Sequence, residues 1–259
     1  MIHSKAEHVD CLAGILALSK PISVIVTSPP YNIGLPYKGS DDQKENYLEW
    51  MRSIFVACKQ ALADNGHFFL QVGGIATRPS MPWDVLEQAI SANFILQNEI
   101  VWVKSISISE KSTDSYGQFK PIPSNRLLTN THEFIFHLTK TGKEPIDRLS
   151  VGVPLKYKSN LKRFGHPKDV RCRGNSWFIP YETIQSKSDR HHHPAVFPVA
   201  LPEMCIKLSG VPKGSLVLDP FVGTGTTLIA CERLGMRGVG FDISAEYCKI
   251  TEDRLKETI

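Results

Sequence analysis

Apolar residues along this chain follow two alternating spacings. Short β-branched or aromatic runs occur at 22–27, 67–72 (H-F-F-L-Q-V), 95–104 (with I-V-W-V-K), 134–139 (F-I-F-H-L-T), 215–218 and 238–241. Each has the length of a buried strand. Between them the spacing becomes helical. Over 45–63, Tyr47, Leu48, Met51, Ile54, Phe55, Cys58 and Leu62 share one face, and Asn65-Gly66 reads as that helix's C-cap. Further helices are predicted within 8–18 (Leu12, Ile15, Leu16), over 83–94 after Pro82, around Leu201, Met204 and Leu208, over 226–234 and over 245–256. Strands alternating with helices at this spacing predict an α/β fold: a Rossmann-like, doubly wound, mostly parallel sheet of about seven strands. The 259 residues leave room for one such domain plus an insertion.

Two of the strand ends carry candidate chemistry. Residues 217–227 read V-L-D-P-F-V-G-T-G-T-T: a strand stopped by Pro220, a turn with Gly223 and Gly225, then a helix. Such a turn brings backbone N–H groups and a helix N-terminus to a ligand, and a Cβ there would hold the ligand off. Asp242 ends the next strand, roughly 20 residues on, where such folds place an acid on a ribose diol. The strand at 22–27 runs into Thr27-Ser28-Pro29-Pro30-Tyr31-Asn32. Two consecutive prolines freeze φ and remove two N–H donors, leaving the carbonyls of Ser28 and Pro29 outside any ladder. The bland reading of the same residues is a rigid loop start.

Ser28-Pro29-Pro30-Tyr31 resembles the S/D-P-P-Y catalytic motif of amino-methyltransferases that act on exocyclic amines of DNA bases. The D-P-F-x-G-x-G-T-T stretch resembles the S-adenosylmethionine-binding motif of the same family, and His193-Pro194-Ala195-Val196-Phe197-Pro198 resembles the segment that precedes it. Catalytic motif first and cofactor motif last is the order of the family's β class, and the match runs over most of the chain. The resemblance implies S-adenosylmethionine as cofactor, held by Asp10, Cys11, His193, Phe197, Asp219, Pro220, Phe221, Gly223, Gly225, Thr226, Thr227, Asp242 and Ile243. Asp10 reads equally well as the N-cap of the helix after it. The catalytic residues implied are Ser28, Pro29, Pro30 and Tyr31. The Ser28 hydroxyl and Pro29 carbonyl would accept from the amine, and Tyr31 would stack on a base flipped out of duplex DNA. His132 and Phe136 are pocket candidates, with plain structural roles as the alternative. Serine at position 28 favours N4 of cytosine over N6 of adenine. A catalytically silent DNA-binding subunit is the competing class of function.

Charge adds a surface to this picture. From Lys140 to Arg190 there are 12 Lys/Arg against 5 Asp/Glu, a local +7, so a net of +4 leaves −3 for the rest. Lys156, Lys158, Lys162, Arg163, Arg171 and Arg173, interleaved with Tyr157, Phe164 and Trp177, are the candidate contacts to DNA phosphates; a solvated loop is the plainer reading. This divides the chain into 1–139 (catalytic half), 140–190 (basic target-recognition insertion) and 191–259 (cofactor half). Segments 33–42 and 105–130 read as loops bordering the site. No apolar run approaches the ~20 residues of a membrane span, the N-terminus lacks the apolar core of a secretory signal, and six scattered cysteines without a C-x-x-C pair fit buried free thiols in a reducing cytoplasm. Metal is set aside, since the three consecutive histidines 191–193 cannot all face one ion and have no acidic or cysteine partner nearby. The family suggests homodimers, which nothing in the residues demands, and a companion restriction endonuclease is left open.

Overall fold

In the computed structural model, residues 3–34, 36–37, 40–41, 44–107, 115–116, 123–157, 169–180 and 197–258 are described. Eight strands form one sheet: β1 (Lys5–His8), β2 (Ile22–Thr27), β3 (Leu62–Val72), β4 (Ile95–Val103), β5 (His132–Thr139), β6 (Ser176–Phe178), β7 (Leu216–Asp219) and β8 (Arg237–Asp242). Their spatial order is β1-β8-β7-β2-β3-β5-β4-β6. All neighbours run parallel except β5, which is antiparallel to both β3 and β4. The mostly parallel, doubly wound sheet expected from the sequence is what the chain forms.

Among the described residues six helices cover it: α1 (Cys11–Leu16), α2 (Tyr47–Ala61), α3 (Met81–Ser91), α4 (Ala200–Ser209), α5 (Thr226–Leu234) and α6 (Ala245–Glu257). Side-chain alternation along the strands sorts two cores. Ile25, Phe68, Leu70, Phe136 and Leu218 point toward α1, α2 and α3. Val24, Val26, Phe69, Ile135 and Val217 point the other way, with Leu201, Cys205 and Ala230 of α4 and α5. Fully burying each large apolar side chain contributes about 1.5–3 kcal/mol, so both faces are firmly fixed around the strands.

Three local readings change. Asn65-Gly66 does not cap α2: strand β3 begins at Leu62, directly after the helix, and absorbs both residues. Between Ile22↔Leu62 and Val24↔His67 the register shifts, so an irregularity in the strand takes up the residues that a cap would have used. Lys5–His8 is an edge strand that its mixed, half-exposed K-A-E-H sequence did not advertise. Ser176–Phe178, inside the basic segment 140–190, is the other edge strand and buries Trp177 against the sheet. Among the described residues, no helix is long and apolar enough to cross a membrane. Of the six cysteines, five are buried free thiols and Cys172 is exposed.

Candidate active site

Parallel neighbours end on the same side, so the sheet order determines which loops meet. The carboxyl ends of β1, β8, β7 and β2 lead into Asp10, Asp242–Ile243, Asp219–Pro220 and Ser28–Tyr31, in that spatial order. The two corners, nearly two hundred residues apart in the chain, are joined directly. With Val217 opposite Val24 and Leu218 opposite Ile25, the Thr27 hydroxyl donates to Asp219 Oδ1 at 2.5 Å.

Asp219 is 2% exposed, and protein donors surround its carboxylate. Besides Thr27, Thr227 Oγ1 donates to Oδ2 at 2.7 Å and the Phe221 N–H to Oδ1 at 3.1 Å. Burial pushes this carboxyl up to about 6, against the pull of the two hydroxyls and the Phe221 amide. The side chain faces inward and fastens the glycine turn to β2. Thr227 is fully buried and Thr226 nearly so; Pro220, Gly223 and Gly225 are buried as well. Gly223 (φ 52°) and Gly225 (φ 85°) both occupy the left-handed region that only glycine enters without cost. At Gly225 the packing adds a second reason, because a Cβ would stand 2.4 Å from Thr251 Cγ2 on α6.

Asp242 differs from Asp219. Its Oδ2 accepts from the Gly223 N–H at 3.1 Å and its Oδ1 from the Ser244 N–H at 2.8 Å. It sits at the half-exposed strand end, each oxygen keeping lone-pair capacity for another donor. Burial raises its pKa, with the Ser244 and Gly223 amides opposing. Beside it, Asp10 is the N-cap of α1, Oδ1 accepting from the N–H groups of Leu12 (2.9 Å) and Ala13 (3.2 Å); the capping reading is realised and leaves Oδ2 outside the cap. Cys11 is buried, its thiol pushed up to about 12 by burial and then by Asp10. Ile243 is 60% exposed at the same rim. An acid with spare acceptors beside a glycine turn fits the ribose end of a nucleoside cofactor.

The second corner is held from three sides. Tyr47 of α2 donates its hydroxyl to the Pro30 carbonyl at 2.7 Å. Asn32, at φ 56°, accepts the Lys44 N–H at 2.7 Å through its side chain and donates to the Lys44 carbonyl at 3.4 Å. This joins the two residues on either side of the segment 33–43, in which Pro36–Tyr37 pairs antiparallel with Ser40–Asp41. Tyr31 Oη donates to Gln71 Oε1 (3.2 Å), accepts from Gln71 Nε2 (3.0 Å) and lies 3.3 Å from Ser28 Oγ. Burial first, and Glu133 second, hold the phenol well above its ordinary pKa, so it is neutral. Gln71 also donates to Glu133, whose other oxygen accepts from Lys104 Nζ at 2.6 Å.

Several of these residues carry no expectation from sequence. Gln71 and Tyr47 reach the catalytic corner directly, Glu133 and Lys104 through Gln71, and Trp50 packs edge-on against Phe221 of the cofactor motif, with Lys44 Nζ 4.6 Å above the Trp50 ring. Helical periodicity alone assigns the aromatics of α2 to the core. Tyr47 is indeed buried, but its hydroxyl reaches the site. One clue was available for Gln71, the lone polar residue in F-F-L-Q-V. Of the two pocket candidates, His132 is exposed at the start of β5 and Phe136 is fully buried in the core, so Phe136 lines no pocket. Phe197 packs against the α4–α5 core, and His193 lies outside the described residues. Among the basic candidates, Lys156 and Arg171 are exposed, whereas Arg173 donates through Nε to the Val151 carbonyl at 2.9 Å. Lys158, Lys162 and Arg163 lie outside the described residues. The antiparallel pair Val153–Pro154 and Val170–Arg171 closes the stretch that carries them. Among the described residues no His/Cys/Asp/Glu cluster could hold a metal.

A doubly wound sheet whose glycine turn, terminal acid and proline corner share one edge defines the class, a nucleoside-cofactor α/β transferase. Comparison with known proteins narrows this. The N6/N4 methyltransferase family model, described as DNA methylase, matches residues 22–253. The Type II methyltransferase M.HpaI of Haemophilus parainfluenzae is 30% identical over 90% of this chain and 68% of its own length. In structure the chain resembles the PvuII DNA methyltransferase (cytosine-N4-specific), with TM-score 0.68 and 20% identity over 99% of this chain and 91% of that one. It also resembles a DNA modification methylase of Thermus thermophilus complexed with S-adenosyl-L-methionine, with TM-score 0.64 and 22% identity over 99% and 94%. The chain belongs to this DNA methylase family. It is a site-specific DNA amino-methyltransferase of the N4/N6 type.

Proposed function

We propose that the chain methylates the exocyclic N4 amine of a cytosine flipped out of duplex DNA. The observation that carries this reading is the Thr27–Asp219 hydrogen bond, which holds the proline corner against the glycine corner so that an amine at one faces a cofactor at the other. Bound S-adenosylmethionine supplies a sulfonium-activated methyl group. The chain's own residues prepare the acceptor. An aromatic amine is a poor nucleophile because its lone pair is delocalised into the ring. Acceptors fixed at Ser28 Oγ and the Pro29 carbonyl favour the pyramidal nitrogen whose lone pair can attack, and in-line placement does the remainder. Tyr31, its hydroxyl anchored at Gln71, is a fixed surface on which the base can stack. Asp10, Asp242 and Ile243 line the cofactor's nucleoside end, with the turn from Asp219 to Thr227 forming the wall between that end and the amine.

Serine rather than aspartate at position 28 favours cytosine. The adenine-N6 reading keeps every other residue in place and is the alternative. We assign DNA contact to Lys156 and Arg171, which are exposed, together with Lys158, Lys162 and Arg163 of the same basic segment. A cytoplasmic, DNA-associated protein with a companion endonuclease, acting as a homodimer, is consistent with this chemistry. The test is transfer of label from methyl-labelled cofactor to duplex DNA, followed by nucleoside analysis. N4-methylcytosine supports the proposal, and Ser28→Ala or Tyr31→Ala should abolish it. Labelled N6-methyladenine would transfer the reading to adenine. Cofactor binding without any labelling of DNA would point to a silent subunit, and labelling of structured RNA alone would overturn the substrate class.

A further inference from the structure

We infer that Gln71, Glu133 and Lys104 are positioning residues for methyl transfer: together with Tyr31 they turn the Ser28 hydroxyl so that its lone pairs face the target amine. The inference rests on the proposed amine chemistry and adds a device to it.

Hydrogen-bond direction is fixed at the lysine end. A lysine ammonium can only donate, and a carboxylate can only accept. Lys104 Nζ donates to Glu133 Oε1 at 2.6 Å, both side chains being mostly buried (19% and 15% exposed). The other Glu133 oxygen meets the Gln71 side-chain amide. A carboxylate there requires the NH2 end, so the Gln71 amide cannot be turned over without placing two acceptors against each other.

With its nitrogen fixed on Glu133, Gln71 aims Oε1 at the Tyr31 hydroxyl, 3.2 Å away. Gln71 is 2% exposed, and a buried carbonyl oxygen without a donor costs about 1–3 kcal/mol. The phenolic proton therefore goes to Gln71. The Tyr31 oxygen is then an acceptor toward the Gly73 N–H, toward Gln71 Nε2 at 3.0 Å and toward Ser28 Oγ at 3.3 Å. Ser28 donates its single proton to Tyr31, and both of its lone pairs remain for the substrate. If the proton pointed at the site instead, it would meet the N–H groups of the amine and oppose their approach.

The chain of contacts has no slack in it. Gly73 packs so closely against Glu133 that a Cβ would stand 2.6 Å from its Cδ. Glu133 sits on the same sheet face as Gln71 because β3 and β5 pair with Gln71 opposite Ile135. The sequence signal is therefore distributed over β3, β5 and the residue that follows β4, none of which carries either recognised motif.

A double-mutant cycle on full-length protein tests this. Gln71→Met and Tyr31→Phe are each made, then combined, and methyl transfer is measured in a single turnover at saturating cofactor and duplex DNA. Each single variant should slow transfer about tenfold, the rate equivalent of one misdirected hydrogen bond, with cofactor affinity changed less than about twofold. The double variant should be no slower than the slower single one, since both break the same chain. Unchanged rates in Gln71→Met, losses that multiply in the double variant, or a parallel loss of cofactor binding would overturn the inference. Should Gln71→Met not fold, Glu133→Gln carries the same cycle, because an amide no longer fixes which end of Gln71 it meets. A wild-type protein that binds cofactor but labels no DNA would instead refute the proposed function on which this device depends.

Discussion

Replacing Thr27 by valine isolates the bond that joins the two corners. The change keeps the side chain's shape and removes one donor from a carboxylate that is 2% exposed. A hydrogen bond to a charged group contributes about 1.5–3 kcal/mol, and one to a neutral group about 0.5–1.5. Asp219 changes from charged to neutral within the accessible pH range, its carboxyl pushed up to about 6 by burial from an ordinary value of 3.8. Because the folded pKa lies above the unfolded one, this group's contribution to stability is complete below the unfolded value and is lost as pH rises through the folded one. Removing Thr27 raises the folded pKa further, so the loss must grow with pH. Thr27→Val should cost about 2 kcal/mol at pH 7.5 and about 1 kcal/mol at pH 5. For a domain of this size that corresponds to Tm drops of about 4–8 °C and about 2–4 °C. The assay is calorimetric or fluorescence melting of variant and wild type at both pH values. The difference between them cancels every other titrating group. Equal drops at the two pH values, or no drop at all, would show that Thr27 does not serve the ionised Asp219.

Three further outcomes are expected. Gly225→Ala must force a φ of 85° on alanine and bring a Cβ within 2.4 Å of Thr251, so it should lower stability by more than about 2 kcal/mol and abolish cofactor binding, read as a lost thermal shift on adding S-adenosylmethionine. The buried pair His67–His137, Nδ1 to Nε2 at 3.0 Å with Asn98 Nδ2 2.9 Å from His137 Nδ1, is neutral in the fold. Burial and then His67 push His137 from 6.5 down to about 3, so its contribution is present above the unfolded value and falls by about 1 kcal/mol per pH unit on acidification below it, a slope that His137→Gln should flatten in urea titrations run from pH 7 to 5. Tyr47→Phe removes the 2.7 Å bond to the Pro30 carbonyl and should cost about 1 kcal/mol in urea unfolding, slowing methyl transfer while cofactor affinity stays the same.

The order of the elements was readable because each strand carries its own apolar run and each helix its own face. The edges of the sheet were not. Lys5–His8 is half polar and gains its strand geometry from pairing with β8, and Ser176–Phe178 is three residues long and lies in a basic stretch. Both depend on a neighbour that local spacing cannot show. The same limit explains the site. Ser28 and Asp219 were legible because family motifs mark them, and Asp242 because it ends the strand that follows the glycine turn. Gln71 is a single polar residue in an apolar run, Glu133 and Lys104 stand at the polar ends of theirs, and only the β3–β5–β4 pairing brings the three together. Asn65-Gly66 shows the reverse error: a strong local cap signal, overridden because β3 starts immediately after α2.

Asp219 and Asp242 show why a motif does not by itself assign a role. Both end parallel strands next to the same glycine turn, and the resemblance assigns both to the cofactor. The carboxylate of Asp219 accepts two hydroxyls and one amide from the protein itself, whereas Asp242 accepts two amides at an open rim. The difference is one of position in the sheet. The Asp219 strand, β7, lies one strand further in, and its end is enclosed by Thr27 of β2 and Thr227 at the start of α5. The Asp242 strand, β8, adjoins the edge strand β1, and its acid sits half-exposed at the strand end. An acid in the enclosed position can fasten one turn to the next strand but has little room for a ligand. An acid one strand closer to the edge can do both. The division between fastening and binding therefore follows from strand order, and it predicts that Asp219→Asn would act on stability and its pH dependence, while Asp242→Asn would act first on cofactor affinity.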